Sequence, residues 1–167
     1  MLRRPPIMLS TEQKKLKEKQ QPASGKFDSD HYAIRKATGK YDIDRVTELW
    51  ANLTMIQQMQ GNDHWMKASQ KSGLSWGEYI ERLLSSRASK VIVFENRDLI
   101  FGFAYMVLEP MNFNNAKQKP KLKAVIKEIY LEPAYREQGK SEEMAEMMRQ
   151  CLLTMNIDYF EFDVKDL

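Results

Sequence analysis

A short turn between two strand-like segments constrains the fold of this chain more than any other feature. The segments are "KVIVFE" (residues 90–95) and "LIFGFAYMVLE" (residues 99–109), and only "NRD" separates them. Both segments are rich in β-branched and aromatic residues, and so short a connection joins antiparallel neighbours. A third such segment, residues 123–132, follows a polar loop. The centre of the predicted sheet is therefore antiparallel.

Helical patterns lie on both sides of these strands. The predicted elements outside the hairpin are a strand at 31–38, helices at 41–59, 75–87 and 140–156, and a strand at 159–164. Ser75 is placed to cap the second helix, and the methionines around Cys151 have the spacing of a buried stripe. The predicted order is βααβββαβ, an α/β (α+β) fold with a mixed, mostly antiparallel sheet flanked by helices.

Length and charge indicate one domain with a basic leader. The chain has 167 residues, enough for one core. Residues 1–30 hold seven of the 26 Lys and Arg and four of the 23 Asp and Glu, so residues 31–167 hold 19 of each sign. We expect a flexible basic tail at 1–30 and a neutral folded domain at 31–167. Nucleic-acid binding is not expected, because the tail mixes both signs of charge.

The cysteine count, the apolar content and the histidine spacing indicate the cellular compartment and whether a metal site is expected. One cysteine allows no intramolecular disulfide, and no apolar run of about 18 residues predicts a membrane span. The N-terminus lacks the apolar core of a signal peptide. His31 and His64 have no partners at metal-ligand spacing, so no metal site is expected. These features predict a cytoplasmic protein that does not enter a membrane.

The loop "AYREQGKS" (residues 134–141) fits two kinds of phosphate site. It has the relaxed Walker A spacing AxxxxGKS, in which Lys140 would reach phosphate and Ser141 would hold magnesium. The preceding strand, however, carries Lys127 and Glu128, whereas the strand before a Walker loop is a continuous apolar run. Only 26 residues follow Ser141, which is room for one helix and one strand. P-loop nucleotide binding is therefore kept only as an alternative.

The longer run "VIKEIYLEPAYREQGKSEEM" resembles the central motif of the GNAT N-acetyltransferase superfamily. The matching residues are Ile129, Tyr130, Leu131, Pro133, Tyr135, Arg136 and Gly139, with Ser141 in the last small position. The order βααβββαβ also matches that family's fold from its first to its fifth strand. The resemblance covers about residues 32–167 and implies acetyl-CoA as cofactor, with an amine on a small molecule or a protein as acceptor.

The resemblance also assigns the cofactor contacts. It implies that the strand residues Ile129, Tyr130 and Leu131 pair their backbone with the pantetheine arm. The pyrophosphate would meet the loop amides of residues Arg136, Glu137, Gln138, Gly139, Lys140 and Ser141, at the positive end of a helix dipole. Gly139 permits close approach of the backbone. Glu137, Glu142 and Glu143 oppose the bound anion, which favours an alternative: a non-catalytic CoA-binding or assembly domain.

Glu128, on the strand that would carry the cofactor, is the candidate general base for direct transfer in a ternary complex. The alternative expectation is an outward side chain paired with Lys127 or Lys123. His64, between the two early helices, lies where the family binds its acceptor, although a histidine beside a tryptophan is more often structural.

The resemblance further implies a domain that is incomplete at its C-terminal end. The family continues with a helix, which carries its usual tyrosine acid, and two more strands. We expect the edge of the strand at 159–164 to be covered by a second copy of the chain or by strand exchange.

Overall fold

Five strands form one sheet in the computed structural model, which describes residues 32–111, 121–136 and 141–163. The strands are β1 (Tyr32–Lys36), β2 (Ser89–Asn96), β3 (Leu99–Met111), β4 (Lys121–Leu131) and β5 (Tyr159–Phe162), in the spatial order β1-β2-β3-β4-β5. The first three pairings are antiparallel and the pairing of β4 with β5 is parallel. The predicted mixed, mostly antiparallel sheet is confirmed.

Four helices flank the sheet: α1 (Gly39–Met59), α2 (His64–Ser72), α3 (Trp76–Ser85) and α4 (Ser141–Thr154). The predicted order βααβββαβ omitted α2, and the observed order is βαααβββαβ. The nine residues of α2, "HWMKASQKS", are mostly polar and bury only Ser69, and so short a segment gives too few apolar positions for a helix to be recognised in the sequence. Gly73, which follows α2 with a φ of 70°, was the available stop signal.

Two local predictions agree with the structure. The turn between β2 and β3 places Arg97 and Asp98 at φ values of 49° and 65°, while Asn96 pairs with Leu99. Two consecutive positive φ angles are typical of the type I′ turn, whose twist matches an antiparallel hairpin. Ser75 caps α3 in a reciprocal capping box with Glu78, an arrangement that contributes about 1 kcal/mol.

The two faces of the sheet carry separate apolar clusters, because side chains alternate along each strand. Helices α1, α2 and α3 pack on the face that contains Val93, Phe103 and Tyr105. Helix α4 packs on the face that contains Ile92, Ala104 and Met106. On α4 itself the buried residues are Met148, Cys151 and Leu152, with Met144, Met147 and Met155 packed beside them. The methionine stripe is core, as predicted.

Strands β4 and β5 separate after four residue pairs. Residues 123–126 of β4 pair with residues 159–162 of β5, and a last bond runs from the Asp163 N–H to the Ile126 carbonyl at 3.1 Å. Residues 128–131 continue to pair with β3 on their other side. Among the described residues, no strand pairs with the β5-facing side of β4 after Ile126. The second copy expected along the outer edge of β5 stays a prediction.

Candidate functional site

A cavity of about 310 Å³ lies where β4 and β5 separate. Its size is at the lower end of the range of small-molecule sites. It is lined by Leu53, Ile56, Gln57 and Gln60 of α1, by Asn62, by residues 126–131 of β4, by Arg136, and by Phe162 and Asp163. The cavity therefore combines apolar side chains of α1 with an exposed strand edge and a few polar groups.

The strand edge itself can bind an extended ligand. Backbone N–H and C=O groups of a strand point alternately to its two neighbours. Half of those of residues 127–131 therefore face away from β3, toward the cavity. A peptide-like ligand that lies along this edge can pair with them as an added strand would.

The carboxylate of Glu128 is buried at the α1 and α2 side of this cavity. The side chain is 7% exposed, and its Oε1 accepts hydrogen bonds from Trp65 Nε1 at 2.5 Å and from Gln57 Nε2 at 3.2 Å. Two N–H donors compensate for much of the cost of removing a carboxylate from water. The alternative expectation of an outward Glu128 is wrong.

The lysines proposed as its partners lie elsewhere. Lys127 Nζ is 2.8 Å from Asp163 Oδ2, and Lys123 Nζ is 3.0 Å from Glu161 Oε1. Lys127 is the extra residue at the irregularity between the pairs Met106–Ile126 and Tyr105–Glu128, and its amine binds Asp163. Lys123 therefore links β4 to β5, and Lys127 links β4 to the residue that follows β5.

An aromatic cluster holds Trp65 in place. The ring of Trp65 lies edge-on to Trp50 at a centroid distance of 5.0 Å and to Tyr105 at 6.1 Å, and Trp50 is fully buried. Such edge-to-face pairs favour one ring orientation. The indole N–H of Trp65 is thus fixed toward Glu128. The sequence analysis missed both Trp65 and Gln57 because neither lies in the loop motif; a tryptophan within the polar segment "GNDHWM" was the available signal.

The predicted cofactor residues divide into two groups. Ile129, Tyr130 and Leu131 lie together at the end of β4 and line the cavity. Arg136 also lines it; its Nε donates to the Leu131 carbonyl at 2.6 Å, and its guanidinium lies 5.1 Å from the centre of the Tyr130 ring. Glu137, Gln138, Gly139 and Lys140, together with the side chain of Ser141, lie outside the described residues.

The turn before the loop is anchored to the core. Tyr135 stacks on Phe101 with ring centroids 4.0 Å apart, and burial raises the pKa of the Tyr135 hydroxyl. Arg45 of α1 binds the carboxylate of Glu132 and also donates to the Ile100 carbonyl. Tyr135 is therefore a packing residue, and the end of β4 is held against α1.

The fold brings the end of β4 directly before the start of α4. Glu142 and Glu143 lie in the first turn of α4, both exposed, where carboxylates stabilise the positive end of the helix dipole. Among the residues that the structure describes, no three His, Cys, Asp or Glu side chains could together hold a metal ion. Within the same ranges, none of the helices combines the length and the apolar character that crossing a bilayer requires.

Comparison with known proteins gives matches at the level of structure. No protein-family model and no curated protein sequence matches this chain. A protein described as a possible acetyltransferase from Clostridium difficile 630 is similar over 80% of this chain and 79% of its own, with a TM-score of 0.56 and 18% identity. The aminoglycoside acetyltransferase meta-AAC0020, from an uncultured soil metagenomic sample and solved with sisomicin, is similar over 81% and 78%, with a TM-score of 0.55 and 12% identity.

A third similar structure is AAC(6')-Iy, solved with the bisubstrate analog CoA-S-monomethyl-acetylneamine. The similarity covers 80% of each chain, with a TM-score of 0.50 and 14% identity. At these identities the likeness concerns the fold. The strand order, the separation of β4 from β5 and these structural neighbours lead to one conclusion: the chain has the fold of the GNAT acetyltransferases.

Proposed function

We propose that this protein transfers an acetyl group from acetyl-CoA to an amine nitrogen on a small molecule or a protein. The observation that carries the proposal is the end of β4, residues 129–131, which lies beyond the pairing with β5 and borders a cavity that also contains a buried carboxylate, Glu128. An extended amide-bearing ligand and a proton acceptor would meet at this point. The similar structure of AAC(6')-Iy, solved with a bisubstrate analog that contains CoA, supports the choice of cofactor.

The cofactor would lie along the end of β4. The pantetheine amides would pair with the backbone of residues 129–131, as an added strand does. The pyrophosphate would bind the loop amides of residues 136–141 at the N-terminus of α4, where the helix dipole favours an anion. Arg136, at the mouth of the cavity, supplies a positive charge near this path.

The transfer would proceed directly between the two bound substrates. Glu128 takes a proton from the acceptor ammonium, and the freed nitrogen lone pair attacks the thioester carbonyl carbon. A C–N bond forms, the C–S bond breaks, and the second proton that the attacking nitrogen loses balances the one that the departing thiolate of coenzyme A takes up. Because Glu128 lies at the cavity and is fixed by two donors, it is positioned for the first of these steps.

The first test is calorimetric titration of the protein with acetyl-CoA, repeated with ATP and magnesium. We expect saturable, magnesium-independent binding of acetyl-CoA that is lost in Gly139→Trp, because the indole would fill the loop. Saturable binding of ATP that requires magnesium would instead support the P-loop alternative. That alternative has little structural support, since β4 is antiparallel to β3 and meets β5 over only four residue pairs.

Turnover then separates an enzyme from a binding domain. Thiol release from acetyl-CoA would be followed with spermidine, an aminoglycoside and a lysine-containing peptide as acceptors. We expect Glu128→Gln to lower kcat by a factor on the order of 10² to 10⁴, as for loss of a general base, with cofactor binding retained. Binding without turnover of any amine would favour a non-catalytic CoA-binding or assembly domain, which the exposed Glu142 and Glu143 beside the anion site also favour.

A further inference from the structure

His64 and Asn62 form a hydrogen-bonded pair next to the buried carboxylate. The amide oxygen of Asn62 lies 2.8 Å from His64 Nδ1 and 3.4 Å from the His64 backbone nitrogen. On the other side of the ring, His64 Nε2 is 3.8 Å from Glu128 Oε1. The imidazole is 40% exposed, whereas Glu128 is 7% exposed. The ring thus connects a buried carboxylate with solvent.

The hydrogen bonds fix the tautomer of His64. A backbone N–H can only donate, so the Asn62 atom that it meets is the amide oxygen. That oxygen can only accept, so Nδ1 of His64 must carry the hydrogen of the bond between them. In the neutral ring, Nε2 then carries a lone pair and faces Glu128.

A lone pair and an ionised carboxylate repel each other when they face each other. A proton that reaches the carboxylate removes this repulsion and can pass to Nε2. Oε1 of Glu128 already accepts from Trp65 and Gln57, and such bonds favour the charged form of the carboxylate. The lone pair of neutral His64 is therefore the group to which Glu128 returns a proton that it has taken up.

We propose that His64 takes the proton that Glu128 removes from the acceptor amine and releases it to solvent. This role rests on the proposed acetyl transfer. Glu128 lines the cavity and its Oε1 lies 3.8 Å from His64 Nε2, so the path runs from the amine to the Glu128 carboxylate, then to Nε2, then to water. A small rotation of either side chain converts the 3.8 Å separation into a hydrogen bond.

The proton balance of each turnover is simple. The N–H bond of the ammonium breaks and an O–H bond forms on Glu128. That O–H bond then breaks as an N–H bond forms on Nε2, which gives the imidazolium. The imidazolium loses one proton to water, and both side chains return to their starting forms with one proton transferred from substrate to solvent.

The tautomer is tested without any substrate. Long-range ¹H–¹⁵N correlation spectra of the full chain distinguish the two histidines, with His31→Gln as the variant that assigns them. We expect neutral His64 to be the Nδ1–H tautomer, and Asn62→Leu to shift it to Nε2–H. A wild-type His64 with its hydrogen on Nε2 would overturn the inference whatever the activity, because Nε2 could not then accept.

The kinetic test uses the same substitution at both histidines. We expect His64→Gln to lower kcat roughly tenfold, less than the 10² to 10⁴ expected for Glu128→Gln, with an unchanged KM for acetyl-CoA. His31→Gln, outside the described residues, should behave as wild type. Added imidazole should restore most of the kcat of His64→Ala, because the site opens to solvent.

The outcomes separate the two proposals. Wild-type turnover that His64→Gln leaves undiminished would contradict the role of His64 alone. Lost turnover that imidazole does not restore, with a raised KM for acetyl-CoA, would show a structural role and also contradict it. Absence of wild-type turnover with spermidine, an aminoglycoside and the lysine peptide would contradict the acetyl transfer and the role of His64 together.

Discussion

The two sides of β4 differ in how they are paired, and this difference separates stability from function. On one side, β4 pairs with β3 from Lys121 to Leu131, interrupted only by an irregularity opposite Tyr105 and Met106. On the other side, β5 pairs with residues 123–126 and then diverges. The strands of the closed side, β1 to β4, contribute half of the largest fully buried side chains. The open side, between β4 and β5, contains the cavity and Glu128. The end of β4 therefore lies beyond its pairing with β5 where a ligand can bind.

The largest expected effect is on the free energy of unfolding. It is tested by replacing one phenylalanine with alanine on the closed side and one on the open side. Phe103 on β3 is fully buried, whereas Phe162 on β5 is 40% exposed. Phe103→Ala should lower the free energy of unfolding by about 3 to 5 kcal/mol. Phe162→Ala should cost less than about 1.5 kcal/mol, because half of the ring contact is with solvent and a cavity cannot form. Urea denaturation measures both, and equal losses would show that the open side supports the core as much as the closed side does.

The second prediction concerns acid stability on the closed side. Hydrogen bonds from Arg35, and a weaker contribution from Thr38, hold the pKa of the Asp42 carboxyl below its usual value. A lowered folded-state pKa stabilises the fold above the unfolded pKa of about 3.9, and this stability is lost as the pH falls through the folded value.

Asp42→Asn should therefore cost about 1 to 2 kcal/mol at pH 7, since Arg35 is partly exposed. The difference between wild type and variant should shrink below about pH 4. Urea denaturation at several pH values checks this, with Asp44→Asn as the neighbouring control. A difference that grows in acid would contradict the sign of the shift.

The third prediction concerns Trp65, which donates a hydrogen bond to Glu128 on the open side. Trp65→Phe removes the indole donor to Glu128 and keeps an aromatic ring in the cluster. Because Gln57 still donates, the stability loss should be only about 1 kcal/mol, while kcat with the best acceptor should change several-fold. Thr47→Ala, whose hydroxyl bonds within α1, is a control for a lost hydrogen bond away from the carboxylate. A stability loss without any change in kcat would make Trp65 a packing residue only.

The smallest expected effect is a change in amide exchange at the free edge. Amides of residues 129–131 that face the cavity should exchange quickly in the free protein, whereas amides bonded to β3 should be protected. Acetyl-CoA should slow the exposed ones if the cofactor pairs along this edge. Hydrogen exchange followed by NMR measures each amide, and protection limited to α4 would contradict the pairing with β4.

Local patterns were sufficient for most of the sheet. Alternation and the short "NRD" connection predicted the hairpin of β2 and β3, and Ser75 predicted the cap of α3, because turns and caps depend on neighbouring residues. The spacing of Met148, Cys151 and Leu152 predicted the buried stripe of α4. Helix α2 could not be predicted in the same way, because its nine residues are mostly polar and form too short a segment for a helical period to be recognised.

The sequence by itself determined the antiparallel hairpin, the motif at the end of β4 and the choice of Glu128 as a candidate. Only the tertiary structure decided that this carboxylate is buried and which groups surround it. Gln57, His64 and Trp65 are 71, 64 and 63 residues before Glu128, and they reach it because α1 and α2 pack on the same face of β4. No local pattern encodes this contact, since it depends on how α1 and α2, which α3 and two strands separate from β4 in the sequence, pack on the sheet.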